Sequence, residues 1–125
     1  IADKVSFLGA VRDLNAYFAD TDILVNTLDC AGDHGAGVGN NILEAGLYRT
    51  AVASYDAAGI AEMVENGKTG FCTPLHDQAT LADALEQLVR SPELRQTFGN
   101  ALHERVTHLC SDDEIYCTTM AAYAL

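Results

Sequence analysis

Short runs of β-branched and other apolar residues alternate with longer helical patterns along the first part of this chain. The runs cover residues 5–8, 22–27, 51–54 and 70–73. Because parallel strands need helical crossovers between them, this alternation favours βαβ units. In the second run, Ile23, Leu24 and Val25 are consecutively apolar, as expected for a strand covered on both faces. The sequence therefore predicts an α/β, Rossmann-like three-layer domain with a mostly parallel sheet.

Helical patterns separate these runs and fill the rest of the chain. Helices are predicted over residues 14–20, from just after Gly39 through Leu47, and over residues 60–65. Beyond residue 74 the chain is predicted to be helical, with N-cap signals at Ser91 and Ser111. In the last helix a packing face is expected, formed by Tyr116, Met120 and Tyr123.

The chain has 125 residues, which suits one domain and is too short for two. Four predicted strands are few for a doubly wound sheet, and the first residue is Ile1 rather than Met. We therefore expect residues 1–125 to form a single partial domain that is incomplete at its N-terminus. An apolar surface should be exposed where upstream strands or a partner domain dock.

Charge and composition exclude several classes of function. The formal net charge is −11, and the 7 Lys and Arg residues are scattered, so nucleic acid is not an expected partner. The longest apolar runs are too short to span a bilayer. The 4 cysteines form no C-x-x-C pair and are expected to be reduced thiols of a cytoplasmic protein.

A glycine-rich stretch, residues 32–39, joins the second predicted strand to a helix. Such a loop directs backbone N–H groups and the positive helix end toward an anion. Gly37 and Gly39 would admit a diphosphate, Asn40 and Asn41 add polar groups, and Glu44 could accept hydrogen bonds from ribose hydroxyls. The spacing matches neither the dinucleotide fingerprint nor a Walker A loop. By composition alone, Glu44 is more often a solvated helix residue.

A small cluster of potential metal ligands lies in the same region and consists of Asp29, Cys30, Asp33 and His34. No second cluster stands at ligand spacing from it, so we expect no metal site. The sequence also lacks a nucleophile elbow or a zinc-protease motif.

Several segments, in one order and spacing, resemble the C-terminal domain of retaining family 4 glycosyltransferases, which have the GT-B fold. The similar segments are residues 5–9, 22–25, 37–45, 52–54, 59–64, 66–71 and 74–77. The resemblance extends from Val5 to about Arg105. It implies that the chain is the C-terminal half of a GT-B fold and binds the donor, a nucleotide-diphosphate sugar, without a metal or other cofactor.

In that family, two glutamates separated by seven residues face the donor. The second matches Glu44, which is implied to hold the ribose. The other implied donor-nucleotide contacts are Gly37, Val38, Gly39, Asn40, Gly59 and Glu62. The first glutamate falls at Ala36, which cannot stabilise charge beside the anomeric carbon. The catalytic residue is therefore unassigned, with Asp33 as a candidate substitute.

Two functions follow from this pattern. The first is the donor-binding domain of a retaining glycosyltransferase, a hexosyltransferase-like enzyme of carbohydrate biosynthesis whose upstream N-terminal domain binds the acceptor. This chain alone is then not expected to catalyse transfer, and peripheral membrane association would occur only through the N-terminal domain. The alternative is a non-catalytic binding or scaffold module of the same fold with a decayed donor site.

Overall fold

The computed structural model describes residues 2–28, 39–57 and 59–123. A short 3-10 helix, Ala2–Lys4, precedes the main elements. In chain order these are α1 (Asn15–Ala19), β1 (Ile23–Asn26), α2 (Asn40–Leu47), β2 (Ala51–Tyr55), α3 (Ile60–Met63), β3 (Phe71–Thr73), α4 (Gln78–Arg90), α5 (Pro92–Leu109) and α6 (Asp112–Tyr123).

The three strands form a parallel sheet in the order β1-β2-β3. Ile23 pairs with Ala51 and Asn26 with Ser54, while Tyr55 of the central strand pairs with Thr73. All five residues of β2 are buried, as expected for a parallel strand covered on both faces. The predicted α/β, Rossmann-like fold is therefore confirmed.

The two faces of β2 belong to two different cores. Val52 faces the first core, which also contains Ile42 of α2 and Leu102 of α5. Ala53, one residue further along the strand, faces the second core. The second core takes Leu81 and Leu88 from α4, Phe98 from α5, and Ala51 and Tyr55 from β2. Helices thus cover both faces of the sheet, and α5 contributes to both cores.

The strand predicted over residues 5–8 is not formed, which corrects the sequence-based prediction. Val5, Phe7 and Leu8 are 52%, 96% and 55% exposed, and the segment pairs with none of the three described strands. An apolar pattern gives strand propensity, but a neighbouring strand must supply the backbone hydrogen bonds. These side chains do form an exposed apolar surface of the expected kind; what covers it stays a prediction.

Helix starts are better predicted than the last helix face. Ser91 Oγ accepts from the Leu94 amide at 3.1 Å, and Ser111 Oγ accepts from the Glu114 amide at 3.2 Å, so both predicted N-caps are confirmed. The predicted packing face of α6 is not covered within the described part of this chain, and its packing against another domain stays a prediction. Each of its three residues is exposed, because α6 continues past the two cores and buries no residue.

A close contact joins α5 to the turn after α2. Arg49 adopts a left-handed conformation, with φ of 59°, and turns the chain into β2. Its carbonyl oxygen lies against Gly99, where an added Cβ would be only 1.9 Å away. Arg49 Nη1 also donates to Asn100 Oδ1 at 2.9 Å. Gly99 therefore allows α5 to pack on this turn.

This contact predicts a specific loss of stability. Gly99→Ala should lower the free energy of unfolding by about 3 kcal/mol, because the backbone of Arg49 must move away from the new methyl group. Gly67→Ala is the matched control: Gly67 has φ of 75°, but an added Cβ meets nothing within 4 Å. The control should lose about 1–2 kcal/mol from backbone strain alone. Denaturant unfolding measures both, and equal losses would contradict the close contact.

Candidate functional site

The N-terminus of α2 lies beside the carboxyl end of β1. Asn41, in the first turn of α2, donates from Nδ2 to Oδ1 of Asn26, the last residue of β1, at 3.4 Å. The helix begins at Asn40, directly after Gly39, as the sequence predicts. The first amides of a helix have no acceptor in the preceding turn, so this end can receive an anion.

Gly39 is the N-cap of α2 and has φ of −62° and ψ of 140°, which any residue can adopt. What glycine provides here is space. A Cβ at this position would lie 2.5 Å from Asn41 Oδ1, which accepts from the Ile42 amide at 3.0 Å. The sequence also predicts that glycine at position 39 allows a diphosphate to approach closely. That role stays a prediction.

A buried polar side chain lies at or next to the carboxyl end of each strand. Asn26, Ser54 and Thr73 are 6%, 0% and 3% exposed. Asn26 Nδ2 donates to Ser54 Oγ at 3.2 Å, and Thr73 Oγ1 donates to the Ser54 carbonyl at 3.2 Å. Hydrogen bonding compensates the cost of burying these groups. These three residues were not predicted from the sequence, where the available signal was a polar residue at or near the end of each apolar strand.

Glu44 is half-buried and lies three residues after Asn41, on the same side of α2. The structure thus brings three of the predicted donor-nucleotide contacts, Gly39, Asn40 and Glu44, onto the first turns of one helix. Gly37 and Val38 lie outside the described residues, as do Ala36 and the candidate substitute Asp33.

The other two predicted contacts lie on the segment after β2. Gly59 has φ of 85° and caps α3, whose Glu62 amide donates to the Gly59 carbonyl at 3.0 Å. The Glu62 side chain is exposed and lines a cavity of about 370 Å³ between α3 and α6, together with Met63 and Ile115. Glu62 therefore faces α6, whereas Gly59 follows the carboxyl end of β2 closely.

Arg105 of α5 binds the segment that contains Glu62 and Glu65. Its Nε and Nη2 donate to the Glu62 carbonyl at 2.8 and 2.6 Å, and its Nη1 pairs with the Glu65 carboxylate. A hydrogen bond from Lys68, followed by the charges of Arg105 and Lys68, lowers the pKa of Glu65. The end of α3 is thus held against α5 by charged groups.

A metal site needs several ligating side chains close together. Among the described residues, no three His, Cys, Asp or Glu side chains lie close enough together to hold a metal ion. The predicted cluster at Asp29, Cys30, Asp33 and His34 lies outside the described ranges. In the part of the chain that the structure describes, no helix combines the length and apolar character needed to cross a membrane.

Comparison with known proteins gives a family and a fold. Residues 1–91 match the family described as glycosyl transferases group 1. The lipopolysaccharide core biosynthesis mannosyltransferase LpcC of Rhizobium leguminosarum bv. viciae is 33% identical over 103 residues, which is 82% of this chain and 28% of that protein. The chain thus spans less than a third of this relative.

Solved structures agree with this match. Sucrose-phosphate synthase from Thermosynechococcus elongatus superposes with a TM-score of 0.76 and 25% identity, over 98% of this chain and 30% of that one. A TarM mutant from S. aureus, in complex with fondaparinux, alpha-GlcNAc-glycerol and UDP, gives a TM-score of 0.61 and 25% identity, over 66% of this chain and 17% of that one. The predicted GT-B type of fold is confirmed.

The environment of Cys72 generates a prediction about thiol reactivity. Burial, and then the negative charge of Asp56, raises the pKa of Cys72 to about 11, whereas Cys110 and Cys117 are exposed. At a pH of about 8, Cys72 should react with iodoacetamide on the order of 100-fold more slowly than the exposed pair, because only the thiolate attacks. Mass spectrometry of the labelled peptides measures each rate. Equal rates in the native protein would contradict the burial, and equal rates in denaturant are the control.

Proposed function

We propose, because this chain belongs to the group 1 glycosyl transferases, that it binds the nucleotide diphosphate of a sugar donor. The observation that carries the proposal is the start of α2 at the carboxyl end of β1. In parallel α/β sheets this edge is the usual place for ligands. The UDP present in the TarM complex, a structural neighbour, supports a nucleotide as the ligand class.

Each group at the start of α2 has a role in this proposal. The diphosphate lies at the positive end of the helix, where the amides around Gly39 and Asn40 donate to its oxygens. Glu44, one turn further along, accepts hydrogen bonds from the ribose hydroxyls. The resemblance to the family assigns Gly37 and Val38 as further contacts of the nucleotide, and Gly59 borders the same edge from the end of β2.

The reaction we propose for the whole protein is sugar transfer to an acceptor with retention of anomeric configuration, as in family 4. An N-terminal domain binds the acceptor, and the donor is held by the C-terminal domain, to which this chain corresponds. We propose that the leaving diphosphate needs no metal, because the helix end and loop amides stabilise its charge. We further propose a cytoplasmic location, which suits free thiols such as Cys110.

A second candidate function rests on one residue. Ala36 occupies the position of the first family glutamate, so the donor site can have lost its chemistry while the fold persisted. The protein would then be a binding or scaffold module. Nucleotide binding separates the two functions, since a scaffold has no need of Glu44.

Glu44→Ala should weaken the binding of UDP or GDP to this chain by about 1–3 kcal/mol, because the ribose loses its carboxylate acceptor. Isothermal titration with each nucleotide separately measures the dissociation constant. Glu104→Ala, at an exposed position of α5, is the control and should bind like the wild type. If both variants bind like the wild type, the assignment of Glu44 is wrong.

Ala36→Glu should raise the turnover of the full-length protein by on the order of 10²–10³, because a carboxylate then faces the developing charge at the sugar. Nucleotide affinity should hardly change, since the helix end and amides are unaltered. Ala36→Gln, similar in size but neutral, is the control and should give little gain. Tighter nucleotide binding without faster transfer would contradict this role and favour the scaffold.

A further inference from the structure

Asn26 connects three elements through one buried side chain. Its Nδ2 donates to Ser54 Oγ of β2 at 3.2 Å, and its Oδ1 accepts from Asn41 Nδ2 of α2 at 3.4 Å. Asn26 itself ends β1 and is 6% exposed. Both ends of the amide group are therefore used, and the start of α2 is tied to two strands.

The donor and the acceptor can be assigned for each hydrogen bond that links Ser54, Asn26 and Asn41. Ser54 Oγ donates its one proton to the Tyr55 carbonyl at 2.9 Å, so it can only accept from Asn26. Asn26 must then present Nδ2 to Ser54 and Oδ1 to Asn41. Asn41 in turn donates from Nδ2, which leaves its Oδ1 to accept from the Ile42 amide at 3.0 Å. The orientation set in the sheet is thereby passed to the first turn of α2.

An apolar side chain would be the cheaper choice at the end of β1 if only packing mattered. The three preceding residues of the strand are apolar, and a buried amide must have all its partners to avoid a net cost. The series of hydrogen bonds ends at a helix amide rather than inside the core. Its effect is to fix where the N-terminus of α2 points.

We propose that Asn26 is a positioning residue for the nucleotide site and acts through Asn41 on the first turn of α2. This inference rests on the proposed function, because it requires the nucleotide to lie at that turn. Asn26 does not contact the ligand. It holds the helix end and its amides at the distance and angle that the diphosphate needs.

The test compares two variants that remove different links. Asn26→Leu removes both side-chain links and should weaken UDP and GDP binding about 3- to 10-fold, the worth of about one hydrogen bond. Ser54→Ala, at a fully buried position on β2, removes the acceptor for Asn26 Nδ2 and the donor to the Tyr55 carbonyl but leaves the link from Asn26 to Asn41, so it should weaken binding less, by about 2- to 3-fold. Ser54 reaches the helix only through Asn26, so an effect there cannot come from a lost ligand contact.

Two further measurements separate positioning from general destabilisation. Leu88→Ala destabilises the second core and should leave the dissociation constant unchanged at a temperature where the protein stays folded. The ¹H–¹⁵N signals of Asn40 and Asn41 should shift in Asn26→Leu and Ser54→Ala, but not in Leu88→Ala. Equal weakening of binding by all three variants would overturn the proposal.

The result for the wild-type chain distinguishes this inference from the proposed function. If the wild type binds neither UDP nor GDP, the proposed function and the positioning role both fail. If the wild type binds and Asn26→Leu and Ser54→Ala bind equally well, only the positioning role fails. If Asn26→Leu does not fold, Ser54→Ala decides the question through its binding constant and amide signals.

Discussion

Complete burial of β2 is the constraint from which the rest of this structure follows. Each of its residues is at most 8% exposed, so an apolar layer must cover each face of the strand. Parallel strands require crossovers, and the crossover helices α2 and α3 contribute to the layer on one face, whereas α4 and α5, which follow β3, provide the layer on the other. The crossover helix α2 then begins near the carboxyl edge of the sheet, beside the end of β1. The place where a ligand can meet helix amides is thus a consequence of how the core is covered.

The nucleotide site that we propose is compatible with the net charge of −11. The attraction comes from backbone dipoles at one helix end and needs no basic side chain nearby. Such a site depends on accurate placement more than on composition. In the positioning role that we propose, the buried side chains of Asn26 and Ser54 act through the half-buried Asn41, and Gly39 leaves the space that Asn41 requires.

Sequence patterns predicted the parts of this fold whose cause is local or periodic. The three strands follow from the apolar runs, and the start of α2 follows from the glycine at position 39. The strand predicted over residues 5–8 is not formed. A strand needs a neighbouring strand to pair with, and the local apolar pattern does not show whether one is present. The polar series at Asn26 and Ser54 was missed for a similar reason: 28 positions separate the two residues, and each alone resembles the end of a strand.

The sharing of α5 between the two cores bears on where this domain ends. The match to the family model stops at residue 91, just before α5 begins. Packing does not stop there, since Phe98 completes one core while Leu102 and Val106 complete the other. A domain boundary placed at the end of that match would remove the α5 residues from both cores, and so from both faces of the sheet. The segment matched by the family model is therefore smaller than the packed unit of the two cores, and α5 makes up the difference.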